Sequence, residues 1–212
     1  MVILAALAIG WQRPPAEGVL RSTVARYQKL KSLSVKILHH ADILAESKDS
    51  IDSLSWLAPR RFEMTSNKDS IPKLFSDGKR LTTFIPMVAP IGEALEDETG
   101  RTKSWETRGG ILLSILMKGQ MASQWFRPER GIKVTFDWGN TLHWHDLEVS
   151  EVVEVLFVRG VTERISFYLS GNHEHILGTE VKSGENSIWT QYADEQENPD
   201  LPKTLGNVPG KS

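Results

Sequence analysis

The sequence contains no cysteine. That absence removes disulfides, thiolate nucleophiles, thiolate-held zinc, iron–sulfur clusters and a lipid-anchoring cysteine in one step. An excess of charge is missing too: 25 Lys+Arg stand against 27 Asp+Glu, for a formal net charge of −2. Nucleic-acid binding calls for a basic face, so no such partner is expected, and Lys73, Lys79 and Arg80 read as a solvated hairpin tip. Long apolar runs are also missing. Val2 to Ile9 is a run of eight, far short of the roughly 20 residues of a spanning helix, and no later segment is longer, so no integral membrane segment is expected. No G-x-S-x-G, H-E-x-x-H, P-loop or dinucleotide fingerprint occurs. No catalytic residue and no cofactor are therefore assigned.

What is present begins with M-V-I-L-A-A-L-A-I-G, which reads as the hydrophobic part of a secretory signal without its basic n-region. Residues 1–16 are taken as this segment and a Pro14-Pro15 linker that runs on to Gly18, residues 17–197 as a single domain, and 198–212 as a polar tail. Between Glu17 and Leu33 the apolar residues Val19, Leu20, Val24, Tyr27, Leu30 and Leu33 recur at gaps of three and four. That spacing predicts one helix of about four turns, with Arg21, Arg26, Lys29 and Lys31 off its apolar stripe. After Gly109-Gly110, I-L-L-S-I-L-M-K is apolar almost all round, which predicts a buried helix of two turns.

Elsewhere the period is two. Val35 and Ile37, Leu54 and Trp56, Phe62 and Met64, Val134 and Phe136, Val153, Val155 and Phe157, then Ile165, Phe167 and Leu169 alternate with polar or outward residues. The last strand is expected near Ile188 to Tyr192. In K-L-F-S-D-G-K-R-L-T-T-F-I-P, Asp77-Gly78 reads as a two-residue hairpin turn that would pair Leu74 with Leu81. About ten or eleven strands against two or three helices indicate an α+β, mainly β domain. An antiparallel sheet that wide curls rather than staying flat. The expected architecture is a curved antiparallel sheet, an incomplete barrel with the helices on its concave side. Phe62, Met64, Leu81, Ile85, Ile165 and Phe167 from strands, with Ile115 from the apolar helix, would line the space between the two layers. From periodicity alone, that space is either a filled core or a ligand cavity.

Residues 58–100 resemble the LolA/LolB superfamily of bacterial lipoprotein carriers and the related exported proteins grouped as DUF2092. The resemblance rests on A-P-R-R-F-E-M-T (Ala58 to Thr65), Ser70-Ile71, S-D-G-K (Ser76 to Lys79), L-T-T-F-I-P (Leu81 to Pro86) and E-T-G (Glu98 to Gly100). Y-Q-K-L-K-S-L, Tyr27 to Leu33, matches the start of the family. The resemblance implies an exported, monomeric, non-enzymatic carrier in the periplasm or cell envelope of a bacterium, holding a lipid, acyl chain or lipoprotein in an apolar cavity. It departs at one place: where the carriers have a lid-latching arginine before the motif proline, this chain has Ala58, and Arg60 and Arg61 follow. That latch does not transfer.

Two rival readings stay open. The same cavity could serve an envelope sensor or regulatory module that binds a protein partner. The histidines at His39-His40, His143 and His145, and His173 and His175 could serve a metal-dependent hydrolase, although they lack the third-ligand spacing of structural zinc motifs, and no metal ligand is assigned.

Overall fold

Chain order is α1 (Ala16–Tyr27), β1 (Ser32–Ile43), β2 (Glu46–Leu57), β3 (Arg61–Ser66), β4 (Lys73–Asp77), β5 (Arg80–Phe84), β6 (Ile91–Ala94), α2 (Ser104–Leu116), α3 (Gln120–Phe126), β7 (Lys133–Trp138), β8 (His143–Trp144), β9 (Leu147–Glu148), β10 (Glu151–Arg159), β11 (Val161–Leu169), β12 (Ile176–Ser183) and β13 (Asn186–Glu197). This computed structural model describes residues 13–43, 46–68, 70–84, 91–94, 104–140, 143–144, 147–148, 151–159 and 161–207.

Eleven strands form one antiparallel sheet in the order β6-β5-β4-β3-β2-β1-β13-β12-β11-β10-β7, and β8 and β9 pair as a separate hairpin. Two meanders, each laid down in sequence order, meet where β1 pairs with β13. The sheet is not closed, since β6 and β7 are its two edges. That arrangement explains where the helices lie. The chain leaves the sheet at one edge strand, β6, and rejoins it at the other, β7, so the connection carrying α2 and α3 must traverse the full width. Strands repeat at about 4.8 Å, so only a path across one face, shortened by curling, makes the crossing economical. The face it crosses is the apolar one. The result is the curved antiparallel sheet with helices on its concave side that the strand pattern predicts.

Local chemistry sets the elements. Pro14-Pro15 precede α1, and the Pro15 carbonyl accepts the first helical bond, from the Val19 N–H at 3.1 Å. The helix buries Val19, Leu20, Val24 and Tyr27, as its spacing predicts, but it begins at Ala16 and stops at Tyr27. Leu30 lies in the following turn, and Leu33 belongs to β1 opposite Trp56. The predicted four-turn helix therefore ends early, because the residues from Ser32 onward pair as a strand between two neighbours. In α2 the backbone breaks at Gly110 (φ 61°, ψ −159°), a region that essentially only glycine adopts. Beyond the break Ile111 to Met117 are all buried, as an all-round apolar run demands. Its single polar member, Ser114, is buried too; its hydroxyl accepts the Ala122 N–H at 3.1 Å, and so ties α3 to α2.

The β4–β5 hairpin differs from the predicted register. Ser76 pairs with Leu81 and Leu74 with Thr83, so Gly78 and Lys79 form the turn. Gly78 has φ +95°, while the Asp77 carboxylate accepts the Lys79 and Arg80 N–H groups, each at 2.8 Å. Those two backbone bonds, Arg80's the larger, hold the Asp77 carboxyl below its ordinary value. Asp77 thus caps the turn instead of sitting inside it. Because the slip is two residues, parity is preserved and Leu74 and Leu81 still face the core.

The last strand is also longer than expected, and part of the presumed tail is packed. After Glu197 the chain turns at Asn198 (φ +50°), whose side chain accepts the Lys31 N–H at 2.8 Å, and Ser32 donates to the Pro199 carbonyl at 2.7 Å. It then runs across the ends of β3 and β4. Arg61 donates to the Lys203 carbonyl, Leu205 is buried, and Gly206 (φ +82°) lies so close that a Cβ there would stand 1.8 Å from the Ser76 carbonyl oxygen. No side-chain rotation relieves a clash with backbone. Gly206→Ala is therefore expected to release residues 199–207, which limited proteolysis would detect as new cleavage after Glu197, with a stability loss of about 2 kcal/mol by denaturant titration.

Candidate functional site

The residues expected to line a cavity lie on both halves of the sheet and on α2. Phe62 and Met64 come from β3, Leu81 from β5, Ile165 and Phe167 from β11, and Ile115 from the apolar half of α2. The structure brings these six into one continuous hydrophobic cluster. Ile85, the seventh, lies outside the described residues. Phe62, Met64, Leu81, Ile115 and Phe167 are 0% exposed and Ile165 is 7% exposed, so these side chains border almost no space large enough for a water molecule. In this state the interlayer space around them is filled by the protein's own side chains.

Aromatic contacts tie the helices to this core. Trp125 of α3 meets Phe167 edge-on at 5.1 Å, and Phe126 stacks on Phe136 of β7 at 5.7 Å. Tyr192 of β13 is buried beneath α2. Burial pushes its hydroxyl up to about 12, partly offset by hydrogen bonds with Thr179 and the Leu112 backbone.

A polar cluster sits where the C-terminal end of α1 meets the sheet. Period two along β13 would put Asp194 on the face of Tyr192. Instead β13 bulges: Lys36 pairs with Ala193 and Ser34 with Gln196, and Asp194 takes φ +53°. The extra residue reverses parity, so Glu195 and Glu197 turn toward α1. The Arg26 guanidinium grips Glu197, with Nη2 donating to Oε2 at 2.7 Å and Nη1 2.6 Å from Oε1. Arg26 also donates to the Glu174 carbonyl at 2.9 Å. The Tyr27 hydroxyl accepts the Ile176 N–H at 3.1 Å and donates to Glu195 at 2.8 Å. His175 Nδ1 lies 3.0 Å from Glu195. Thr23 donates to the His173 carbonyl at 2.7 Å, and His173 itself contacts Glu151.

These contacts hold α1 against the loop before β12 and the end of β13. Burial, then the Glu195 charge, drives the Tyr27 hydroxyl far above its ordinary value. Burial likewise raises the Glu195 carboxyl, only partly opposed by its bonds to Tyr27 and His175.

Sequence reasoning missed this cluster. Tyr27 was legible only as an apolar stripe member and Arg26 only as a solvent-facing cation. Glu195 and Glu197 carried no signal, since the bulge that reorients them is not written in the hydrophobic pattern. The histidines come together in part. His173 and His175 join this cluster, whereas His39 lies 3.5 Å from the buried Asp52, and His40 contacts Asp49 and stacks on Trp189. His145 lies outside the described residues, and of His143 only the backbone is described. His175, Glu195 and Glu197 offer three ligand atoms within 4.8 Å, but the Arg26 cation already pairs with Glu197, and Tyr27 and His175 already contact Glu195.

No family sequence model matches the chain, and no curated protein matches it by sequence. Solved structures do match by shape. The LolA superfamily protein NE2245 from Nitrosomonas europaea aligns with TM-score 0.51 and 10% identity, over 92% of this chain and 99% of that one. MucB aligns with TM-score 0.48 and 8% identity over 92% and 63%, and the Mycobacterium tuberculosis lipoprotein LppX with 0.40 and 11% over 87% and 96%. At such identities the likeness shows the fold, which is LolA-like.

Two outcomes are expected for the cluster. Tyr27→Phe leaves the Ile176 N–H and a Glu195 oxygen without their partner and should cost about 1–3 kcal/mol in denaturant unfolding. Glu195→Gln tests the raised carboxyl. A group held above its unfolded value stabilises the fold fully below that value, and the stabilisation fades as pH rises through the folded value. Wild type should therefore lose stability relative to Glu195→Gln as pH climbs from 4.5, the ordinary value of this side chain, in paired thermal melts. An opposite slope would refute the assignment.

Proposed function

We propose that this LolA-like protein is an exported, monomeric, non-enzymatic binding or carrier protein of the bacterial envelope that holds a lipid, acyl chain or lipoprotein between its sheet and its helices. One observation carries the reading: a wide apolar sheet face is covered by three short helices, and the covering layer has separable attachments. The apolar half of α2 is joined to its N-terminal half by the break at Gly110. The far end of α1 is held by a discrete set of polar contacts.

The filled core is read as the closed, unloaded state. Moving helices off the sheet exposes apolar surface, and a guest chain restores that burial. Each CH₂ transferred into the core returns about 0.8 kcal/mol, so a chain of about a dozen carbons supplies on the order of 10 kcal/mol toward displacing the lid. Phe62, Met64, Leu81, Ile115, Ile165 and Phe167, with Ile85, would then line the opened space. Such a pocket needs no directional chemistry for the tail; dry apolar walls suffice.

The test is binding of a fluorescent fatty-acyl probe to the full, delipidated chain. Saturable binding displaced by unlabelled fatty acid is expected. It should come with a change in intrinsic emission that is diminished in Trp125→Phe, because Trp125 sits at the seam between α3 and Phe167. Absence of saturable binding, together with no lipid in extracts of natively purified protein, would overturn the proposal.

A further inference from the structure

Between α1 and α3 lies an open cleft of about 210 Å³, outside the filled core. Val24 and Ala25 of α1 and Ala122 and Phe126 of α3 are among its lining residues. Val24 and Ala122 are also buried members of the core cluster, and Phe126 packs against it. The cleft floor is thus the outer surface of the core itself. Its rim is of another kind. Arg21, Lys118 and Arg127 line it, and among the described residues no carboxylate does. Three cations converge here although the whole chain carries a net charge of −2. Arg21 lies over the Phe126 ring at 4.3 Å, which places its guanidinium above the apolar floor. Its ion pair with Glu17, at 2.6 Å, joins two half-exposed side chains and so opposes an incoming anion weakly.

We propose that this cleft binds the anionic head group of a single lipid molecule whose tail enters the core between α1 and α3, an inference that rests on the lipid-holding function above. Volume decides which part of the ligand the cleft takes. A water occupies about 30 Å³ of the liquid, so the space equals about seven waters: enough for a phosphate or carboxylate head and the first carbons, and too small for a whole lipid. Charge decides which heads it prefers. Guanidinium and ammonium groups form charge-assisted hydrogen bonds to phosphate and carboxylate that a neutral head cannot replace. The mixed lining, cationic above and apolar below, suits an amphiphile rather than a small inorganic anion.

The experiment uses the full delipidated chain and probes with one acyl chain and different heads: a monoacylglycerol phosphate, a monoacylglycerophosphocholine and an uncharged monoacylglycerol, with inorganic phosphate as the fourth arm. The phosphate-headed lipid should bind about tenfold or more tightly than the uncharged one, and added salt should shrink that preference. In an Arg21→Gln, Lys118→Gln, Arg127→Gln variant, the affinity ratio of the two lipids should fall toward one. If that variant does not fold, the salt dependence of the wild-type ratio still decides. Equal binding of all three lipids overturns the head-group site but leaves lipid holding intact. Inorganic phosphate that competes as tightly as the phosphate-headed lipid overturns it in favour of a simple anion site. Failure of every acyl probe to bind sinks the underlying function instead.

Discussion

The crossover between the two sheet edges is the constraint on which the rest depends. Because β6 and β7 are the outer strands of one eleven-stranded sheet, the chain between them must cross a face. It crosses the apolar face, and the crossing segment becomes the lid. This accounts for the composition of α2. A helix lying over a concave sheet and under other elements is surrounded, and Ile111 to Met117 are buried on all sides accordingly. The one hydroxyl in that run accepts the Ala122 N–H of α3, so it is not left without a partner in the core.

Apolar contact is non-directional and by itself would let α1 slide over the sheet. The polar cluster supplies the missing direction. Arg26 and Tyr27 reach two glutamates that only a bulge makes available, and Thr23 and Arg26 engage carbonyls of the loop before β12. Every one of these anchors lies near one end of the helix. Along the same turns, from Arg21 to Gln28, α1 meets α3 across the basic-rimmed cleft, where packing is incomplete. The start of α1 is tied down as well, since the Trp138 indole N–H donates to the Pro14 carbonyl at 3.0 Å and Arg13 pairs with Glu151, so the helix is anchored near both ends and open toward α3.

The sheet carries a second, outward chemistry that owes nothing to the lid. Val152, Tyr168 and Trp189 form a small cluster on the opposite face, where the Tyr168 hydroxyl donates to Glu180 at 3.0 Å. Burial raises the Glu180 carboxyl, but its bonds from Lys182, Tyr168 and Ser187 outweigh that and leave it below its ordinary value. Glu195, on the inner face, shifts the opposite way because burial there wins over its partners. Glu180 lies on the outer face beside Trp189, its partner in the ladder, whereas the bulge at Asp194 is what carries Glu195 to the inner one.

Much of the fold was legible in the residues. Period two over Leu54–Trp56, Phe62–Met64 and Ile165–Phe167 marked the inward face, and the all-round apolar run marked α2, because side-chain alternation and helical pitch are local properties of the backbone. The five strand members of the filled cluster follow from the same parity, and Ile115 from the all-round apolar run. What tertiary structure alone decided lies where distant segments meet. Leu33 left its helical stripe because two strands claimed it, and the β4–β5 turn moved because Asp77 found two backbone donors beyond Gly78. The bulge at Asp194 swung Glu195 and Glu197 inward, and residues 199–207 packed across β3 and β4. Each of these turns on a partner far away in the chain or on a single unusual dihedral angle. Neither leaves a repeating mark in the order of apolar and polar residues.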